Sequence, residues 1–230
     1  LWMEVSFQTS GSSILFSFTK DEADKERIAS LRFSMTSEEV NVDIRSGDAG
    51  EIHNDLIGLS SILICSPFVG SKLVLNFPVS DYFLDKVNSI ITKYRVVSSS
   101  KDSIMKRERS CDNIPGLAFS GGADSTAALA VMPKTTVPVF LNRPSRPGSM
   151  YSPEAALSTC EELMECGYHV RIVDSNLEYI RDPVGFPTDL ANAIPAILLA
   201  DQCGLGSISF GTVLESAYGI GHEEYIDYGS

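Results

Sequence analysis

Cations are scarce in this sequence, and scarcest in its second half. Residues 113–230 hold 5 Lys and Arg against 14 Asp and Glu, a net of −9; residues 1–112 hold 13 against 16, a net of −3. The whole chain of 230 residues sums to −12. So acidic a chain lacks the clustered Lys and Arg that general nucleic-acid binding requires. Long apolar runs are also missing. The longest uncharged stretch, Leu56 to Ser71, is broken by Ser60, Ser61, Ser66 and Pro67, short of the roughly 20 apolar residues of a membrane-spanning helix. No basic-plus-apolar leader opens the sequence. The five cysteines (Cys65, Cys111, Cys160, Cys166 and Cys203) form no CxxC pair, and Cys160 and Cys166 fall about 240° apart around a helix. Reduced thiols in a cytoplasmic protein are expected, rather than a disulfide framework or a zinc site. The Walker-type GxxxxGK motif, the GxGxxG fingerprint and the GxSxG elbow are absent as well. Hydrophobic residues are not short at 43%, which excludes disorder of the whole chain and allows one large or two small packed domains.

The pattern along the chain changes near residue 112. Before it, Trp2 to Thr9 and Ser13 to Thr19 alternate apolar and polar residues as half-buried strands do, with Ser10-Gly11-Ser12 as a hairpin turn. Ala29 to Met35, Val40 to Ile44 and Leu73 to Phe77 are further strand candidates. His53 to Cys65 predicts a buried helix, and Ser80 to Tyr94 a helix started by Ser80-Asp81. These segments predict an α+β domain over residues 1–100. The polar stretch 98–113, with Lys106-Arg107-Glu108-Arg109, reads as a solvated connection, and 101–112 as the linker. After it, strands at Leu117 to Ser120, Val137 to Leu141, Val170 to Val173 and Ser207 to Phe210 alternate with helices. The helices are expected at Ser125 to Val131, at Pro153 to Cys166 (Ser152 as N-cap, Gly167 as C-cap) and from Thr188 to about Gln202. That alternation predicts an α/β fold: a parallel sheet with helices on both faces, over residues 113–230.

The chemistry is concentrated in Gly116-Leu-Ala-Phe-Ser-Gly-Gly-Ala-Asp-Ser-Thr126. Two glycines let the backbone turn sharply and approach a ligand. The helix that follows offers unpaired N–H groups and the positive end of its dipole to an anion. Ser120 and Ser125 add hydroxyls. Asp124 sets a carboxylate beside that anion, which is favourable only with a cation between them; a phosphate with Mg²⁺ satisfies all three features.

Ser-Gly-Gly-x-Asp-Ser after a strand resembles the PP-loop of the N-type ATP pyrophosphatases, a family that includes GMP synthetase, asparagine synthetase, tRNA thiolation enzymes and 7-cyano-7-deazaguanine synthase. The resemblance covers residues 113–216 and implies a fold of the HUP type. It also implies cleavage of ATP between its α- and β-phosphates. The α-phosphate passes to a carboxylate or amide oxygen of a small molecule, and a nitrogen or sulfur nucleophile then displaces AMP. It implies ATP and Mg²⁺ as cofactors. Ser120, Gly121, Gly122, Ala123, Asp124, Ser125 and Thr126 would hold the pyrophosphate, Asp124 the metal, and the second strand through Phe140 the adenine. Gly185-Phe186-Pro187-Thr188, the Ala-rich helix, the segment from Gly204 to Gly211-Thr212, and Glu215 are similar to the later part of 7-cyano-7-deazaguanine synthase. A C-terminal cysteine cluster and an Arg-Asn pair before the helix are not present.

Other residues fall at the same edge. Arg143 and Arg146 follow the second strand, where a carboxyl end binds ligands in parallel sheets; they read as cofactor and substrate contacts, or as an ordinary surface loop. Arg181 and Asp182 precede the Gly185 loop. Gly211 and Glu215 follow the fourth strand and, with Arg181, read as substrate contacts, Glu215 also as a metal ligand or base. His222-Glu223-Glu224, His53 and His169 read better as surface or structural residues. The expected partner is a small-molecule substrate, with a homodimer open and neither nucleic acid nor membrane expected. A tRNA-modifying enzyme of the same family and a non-catalytic adenine-nucleotide sensor are the alternatives. Only about fifteen residues follow Glu215, which predicts a domain cut short at its C-terminus.

Overall fold

Strands of two patterns meet in one sheet. The structure, a computed structural model, describes residues 2–21, 34–102, 104–108, 112–146 and 152–211. Its strands are β1 (Trp2–Ser10), β2 (Ser13–Lys20), β3 (Ser34–Met35), β4 (Glu39–Asp43), β5 (Lys72–Leu75), β6 (Arg95–Ser98), β7 (Ile114–Phe119), β8 (Val137–Asn142), β9 (Arg171–Ser175), β10 (Arg181–Asp182) and β11 (Leu205–Phe210). Its helices are α1 (Asn54–Cys65), α2 (Asp81–Ile90), α3 (Ala123–Val131), α4 (Glu154–Glu165) and α5 (Ile194–Leu198). Nine strands run in the order β11-β7-β8-β9-β4-β2-β1-β5-β6, and β3 pairs with β10 apart from them. The fold is α/β, built on a large, mostly parallel mixed sheet.

The antiparallel centre explains the alternation. β1, β2 and β4 bury Met3, Val5, Ile14, Phe16, Val40 and Val42 on one face and leave Thr19, Glu39 and Asn41 exposed on the other. Ser10 pairs with Ser13 across the predicted turn, where Gly11 takes a positive φ of 57°. β7 and β8, in the parallel part, are covered twice. α1 and α5 pack on the face carrying Val137, Val139 and Leu205, while α3 and α4 enclose Leu117, Phe119 and Phe140 with Leu129 and Cys160. Local chemistry sets the helix ends. His53 Nδ1 accepts from the Asp55 N–H at the start of α1, and Ser80 Oγ from the Phe83 N–H at the start of α2. Gly167 (φ 85°) ends α4, with Tyr168 N–H donating to Leu163 O at 3.0 Å. Pro153 occupies the cap position expected of Ser152, so the helix starts one residue later than expected, at Glu154.

Four features differ from the sequence reading. First, residues 1–100 and 113–211 share the sheet: β4 and β9 pair antiparallel through Val42–Ser175 and Asp43–Asp174. Side chains lengthen this seam. Ser175 Oγ donates to Asn41 O (2.6 Å), and Asn176 Oδ1 accepts from the Asn41 N–H (2.7 Å). Asp174 accepts from Arg45 Nη2 (2.8 Å) and Asn142 Nδ2 (2.6 Å).

Second, the polar stretch is a strap. It carries the chain from β6 at one end of the sheet to β7, seven strand positions away, roughly 34 Å. The 15 residues between Ser98 and Ile114 can reach at most about 50 Å, enough for that crossing. Met105 O bonds His53 Nε2 (3.0 Å), and Arg107 Nε donates to Asp201 Oδ1 (2.7 Å).

Third, the second predicted helix stops at Ile90. Tyr94 packs with its hydroxyl on Ser66 Oγ, and β6 follows as the sheet's outer strand. Asn88 of α2 closes that edge: its Oδ1 accepts from the Val96 N–H and its Nδ2 donates to Val96 O, both at 2.9 Å.

Fourth, the helix expected from Thr188 divides into a 3-10 stretch (Asp189–Ala193) and short α5, with Pro195 near the start of α5. Thr188 holds the N-cap position of the 3-10 stretch, but its hydroxyl donates to Leu63 O on α1 (3.2 Å) rather than to that stretch.

The Arg45 guanidinium holds Asp174 below its ordinary value of 3.8, against the opposing effect of burial. A carboxylate depressed in the folded state stabilises above its unfolded pKa, and that contribution disappears as pH falls through the folded one. Asp174→Asn should therefore lower the urea midpoint near pH 7. Its deficit relative to wild type should shrink as pH falls below about 3.8. A deficit that stays constant from about pH 7 to pH 3 would show that the charge at Asp174 does not tie the seam.

Candidate functional site

The order of the parallel strands picks out one place on the sheet. β7 leads through α3 to β8 on one side, while the chain returns after β9 to place β11 on the other side of β7. The strand order thus reverses at β7 and marks the carboxyl ends of β7 and β11 as the crevice where such sheets bind ligands. The Ser120-Gly121-Gly122 turn lies there, between β7 and α3. Gly211, directly after β11, closes the crevice from the other strand. A Cβ on Gly211 would stand 2.5 Å from Ser125 Cα and 2.6 Å from Ser125 N. Only a residue without a side chain lets the two strand ends approach so closely.

The turn is built by its own residues. Gly121 has φ 75°, and a Cβ there would meet Ala156 Cβ of α4 at 2.8 Å. Ser125 is buried, 3% exposed. Its Oγ donates to Gly122 O (3.0 Å), receives the Ser120 N–H (3.3 Å) and lies 3.0 Å from Ser120 Oγ. Ser125 is thus an internal brace of the turn. Ser120 is exposed, and its Oγ accepts from the Gly122 N–H. Thr126 Oγ1 turns back to Gly122 O (2.9 Å). The first N–H groups of α3, on Ala123, Asp124 and Ser125, are those a helix leaves without intrahelical acceptors. Ala123 and Asp124 are exposed, and Asp124 has no cationic partner among the described residues. The N–H donors suit phosphate oxygens, and the Asp124 carboxylate is a hard oxygen ligand. Mg²⁺ binds through one or two carboxylates plus phosphate oxygens, and this donor set suits it. No group of three or more His, Cys, Asp or Glu gathers among the described residues, so Asp124 would act alone.

The other predicted residues divide. Phe140 is 3% exposed, packed with Leu117, Leu129 and Cys160 in the core beneath α3 and α4; its side chain does not reach the crevice. Arg143 pairs with Glu178 (Nη1 to Oε2, 3.2 Å), and Arg146 stacks over the Tyr179 ring at 3.5 Å. Burial raises the Glu178 carboxyl above its ordinary range, against the pull of Arg143. Arg181 opens β10, its guanidinium against Gly185, where a Cβ would lie 2.7 Å from Nη2. Thr212, Glu215 and the His222-Glu223-Glu224 group lie outside the described residues. Sequence reasoning passed over Glu178 and Tyr179. The available signal was their place just past β9, at the same carboxyl edge.

No protein-family model, curated protein or solved structure matches the chain. The site is therefore interpreted from its own geometry.

Three glycine variants separate backbone strain from close approach. Gly167→Ala meets open space at φ 85° and should lose only the left-handed backbone term, about 1–2 kcal/mol. Gly211→Ala has no positive φ but meets the α3 backbone, and should cost about 1–3 kcal/mol by overpacking. Gly121→Ala carries both burdens and should be the least stable of the three. Denaturant midpoints check the order; a Gly211→Ala protein as stable as wild type would mean that the strand ends do not close as described.

Proposed function

We propose that the protein activates a small-molecule substrate with ATP, releasing pyrophosphate and forming an adenylate that a nitrogen or sulfur nucleophile then resolves. The observation that carries this reading is the turn from Ser120 to Thr126, set between β7 and α3 at the crevice and closed by Gly211. Such a turn suits a chain of polyphosphate oxygens. The Ala123 and Asp124 N–H groups can bind pyrophosphate oxygens through charge-assisted hydrogen bonds. Ser120 and Ser125, hydrogen-bonded to each other, keep the turn in shape. In the reaction the substrate oxygen attacks the α-phosphorus and the bond from that phosphorus to the bridging oxygen breaks. Negative charge then grows on the departing pyrophosphate, where the α3 N-terminus favours it. Bound Mg²⁺, held by Asp124, would supply charge neutralisation on that same group. A half-chain of net −9 repels a polyphosphate from a distance, so the reading requires strict dependence on divalent metal.

The decisive experiment is ATP–pyrophosphate exchange with Mg²⁺ and a panel of small carboxylates and amides, using the full chain. Asp124→Asn, an exposed position, should keep the fold and lower exchange by about a hundredfold or more. Binding of ATP without any cleavage of its α–β bond over hours would exclude adenylation and leave a nucleotide sensor. Failure to bind ATP with Mg²⁺ at all would exclude both.

A further inference from the structure

The two arginines that follow β8 are used differently. Arg143 is internal: it and its partner Glu178 are 14% and 18% exposed, and each neutralises the other. Arg146 is exposed, and among the described residues no carboxylate pairs with it. Its guanidinium carbon lies 3.5 Å from the centroid of the Tyr179 ring. Stacking at that distance occupies one face of the guanidinium and leaves its in-plane N–H fork open. The ring beneath is fixed. Tyr179 is 3% exposed, and its hydroxyl donates to Pro144 O (2.6 Å). Its own carbonyl accepts from Thr36 Oγ1 (2.9 Å), and the Thr36 N–H donates to Ile180 O (2.8 Å). Thr36 comes from the first half of the chain, so that half holds the platform on which Arg146 rests.

Position completes the argument. The loop bearing Arg146 leaves the carboxyl end of β8, the strand beside β7. Residues 113–230 hold five cations: Lys134, Arg143, Arg146, Arg171 and Arg181. Arg143, Arg146 and Arg181 follow the carboxyl ends of β8 and β9. Of those three, Arg143 is neutralised by Glu178 and the Arg181 guanidinium is packed on Gly185. Arg146 is stacked and exposed.

We propose that Arg146, laid flat on Tyr179, is an oxyanion-binding site whose in-plane N–H fork takes a carboxylate or a phosphate. The source is either the substrate that accepts the adenylyl group or the β- and γ-phosphates of the nucleotide. The choice between those sources rests on the proposed adenylation; oxyanion binding itself does not, because it is measured without turnover.

The test follows the Arg146 Nε–H resonance in the ¹⁵N-labelled full chain, assigned by its absence in Arg146→Gln. Malonate, inorganic phosphate, AMP with Mg²⁺ and ATP with Mg²⁺ are titrated in turn. Malonate or phosphate should move the resonance saturably, and in calorimetric titrations with the same probes Arg146→Gln should weaken binding about tenfold or more. A malonate response that persists in AMP-saturated protein assigns the site to the accepting substrate. A response to ATP but not to AMP or malonate assigns it to the nucleotide's own phosphates. Arg146→Lys keeps the charge without the fork or the stack and should recover only a minor part of the affinity; full recovery would overturn the stacked-fork assignment. So would a silent resonance with all four probes, or an Arg146→Gln protein that binds as wild type does. Loss of exchange activity with Arg146 binding intact would count against adenylation alone.

Discussion

The meeting of Arg45, Asn142 and Asp174 governs how the two halves of this chain act as one body. Asp174 ends a parallel strand. Arg45 follows an antiparallel one, and Asn142 closes the strand beside Asp174. One carboxylate therefore takes hydrogen bonds from both kinds of sheet at the place where they change over. The backbone ladder between β4 and β9 is only two residue pairs long. Ser175 and Asn176 extend it by bonding the backbone of Asn41. A second tie lies close by in sequence, where β3 and Thr36 hold the segment from Tyr179 to Asp182. The first half is thus part of the wall of the carboxyl edge, and its folding and the shape of that edge are linked.

Charge is placed against its own background. The half of the chain with the largest negative excess carries the turn proposed to hold an anion. The resolution is largely geometric. Backbone N–H groups at the start of α3 have direction but no net charge, so they favour an anion only at contact. The arginines that follow β8 and β9 have direction too, one fixed by Glu178 and another by the Tyr179 ring. For the proposed nucleotide, long-range attraction is weak and short-range complementarity must do the selecting, which favours specificity over rate of encounter.

What the sequence made legible follows from the range of the interactions involved. The hairpin of β1 and β2, α1 with its His53 cap, and the strand–turn–helix at Ser120 are each written in a few consecutive residues, so period and turn chemistry reveal them. β6 was hidden because Arg95–Ser98 is short and follows an apolar helical pattern without a break. The single sheet was hidden because its seam joins residues 130 positions apart through two backbone pairs and a few side chains. A strap and a linker look alike in composition; only the position of β6 at the far end of the sheet tells them apart. At the site, the motif announced Asp124 and Gly121. It gave no sign that Ser125 is an interior brace, that Phe140 belongs to the core, or that Tyr179 supports Arg146, since each of these depends on contacts distant in sequence.

Asn88 has a consequence beyond its helix. Its amide presents to Val96 the same donor and acceptor that a neighbouring peptide group would, so a single side chain stands in for a missing strand. Arriving chain finds no open ladder at that position. A strand could pair with Val96 only by displacing Asn88. Among the described residues the nine-stranded array is in that sense ended at its β6 margin by one side chain.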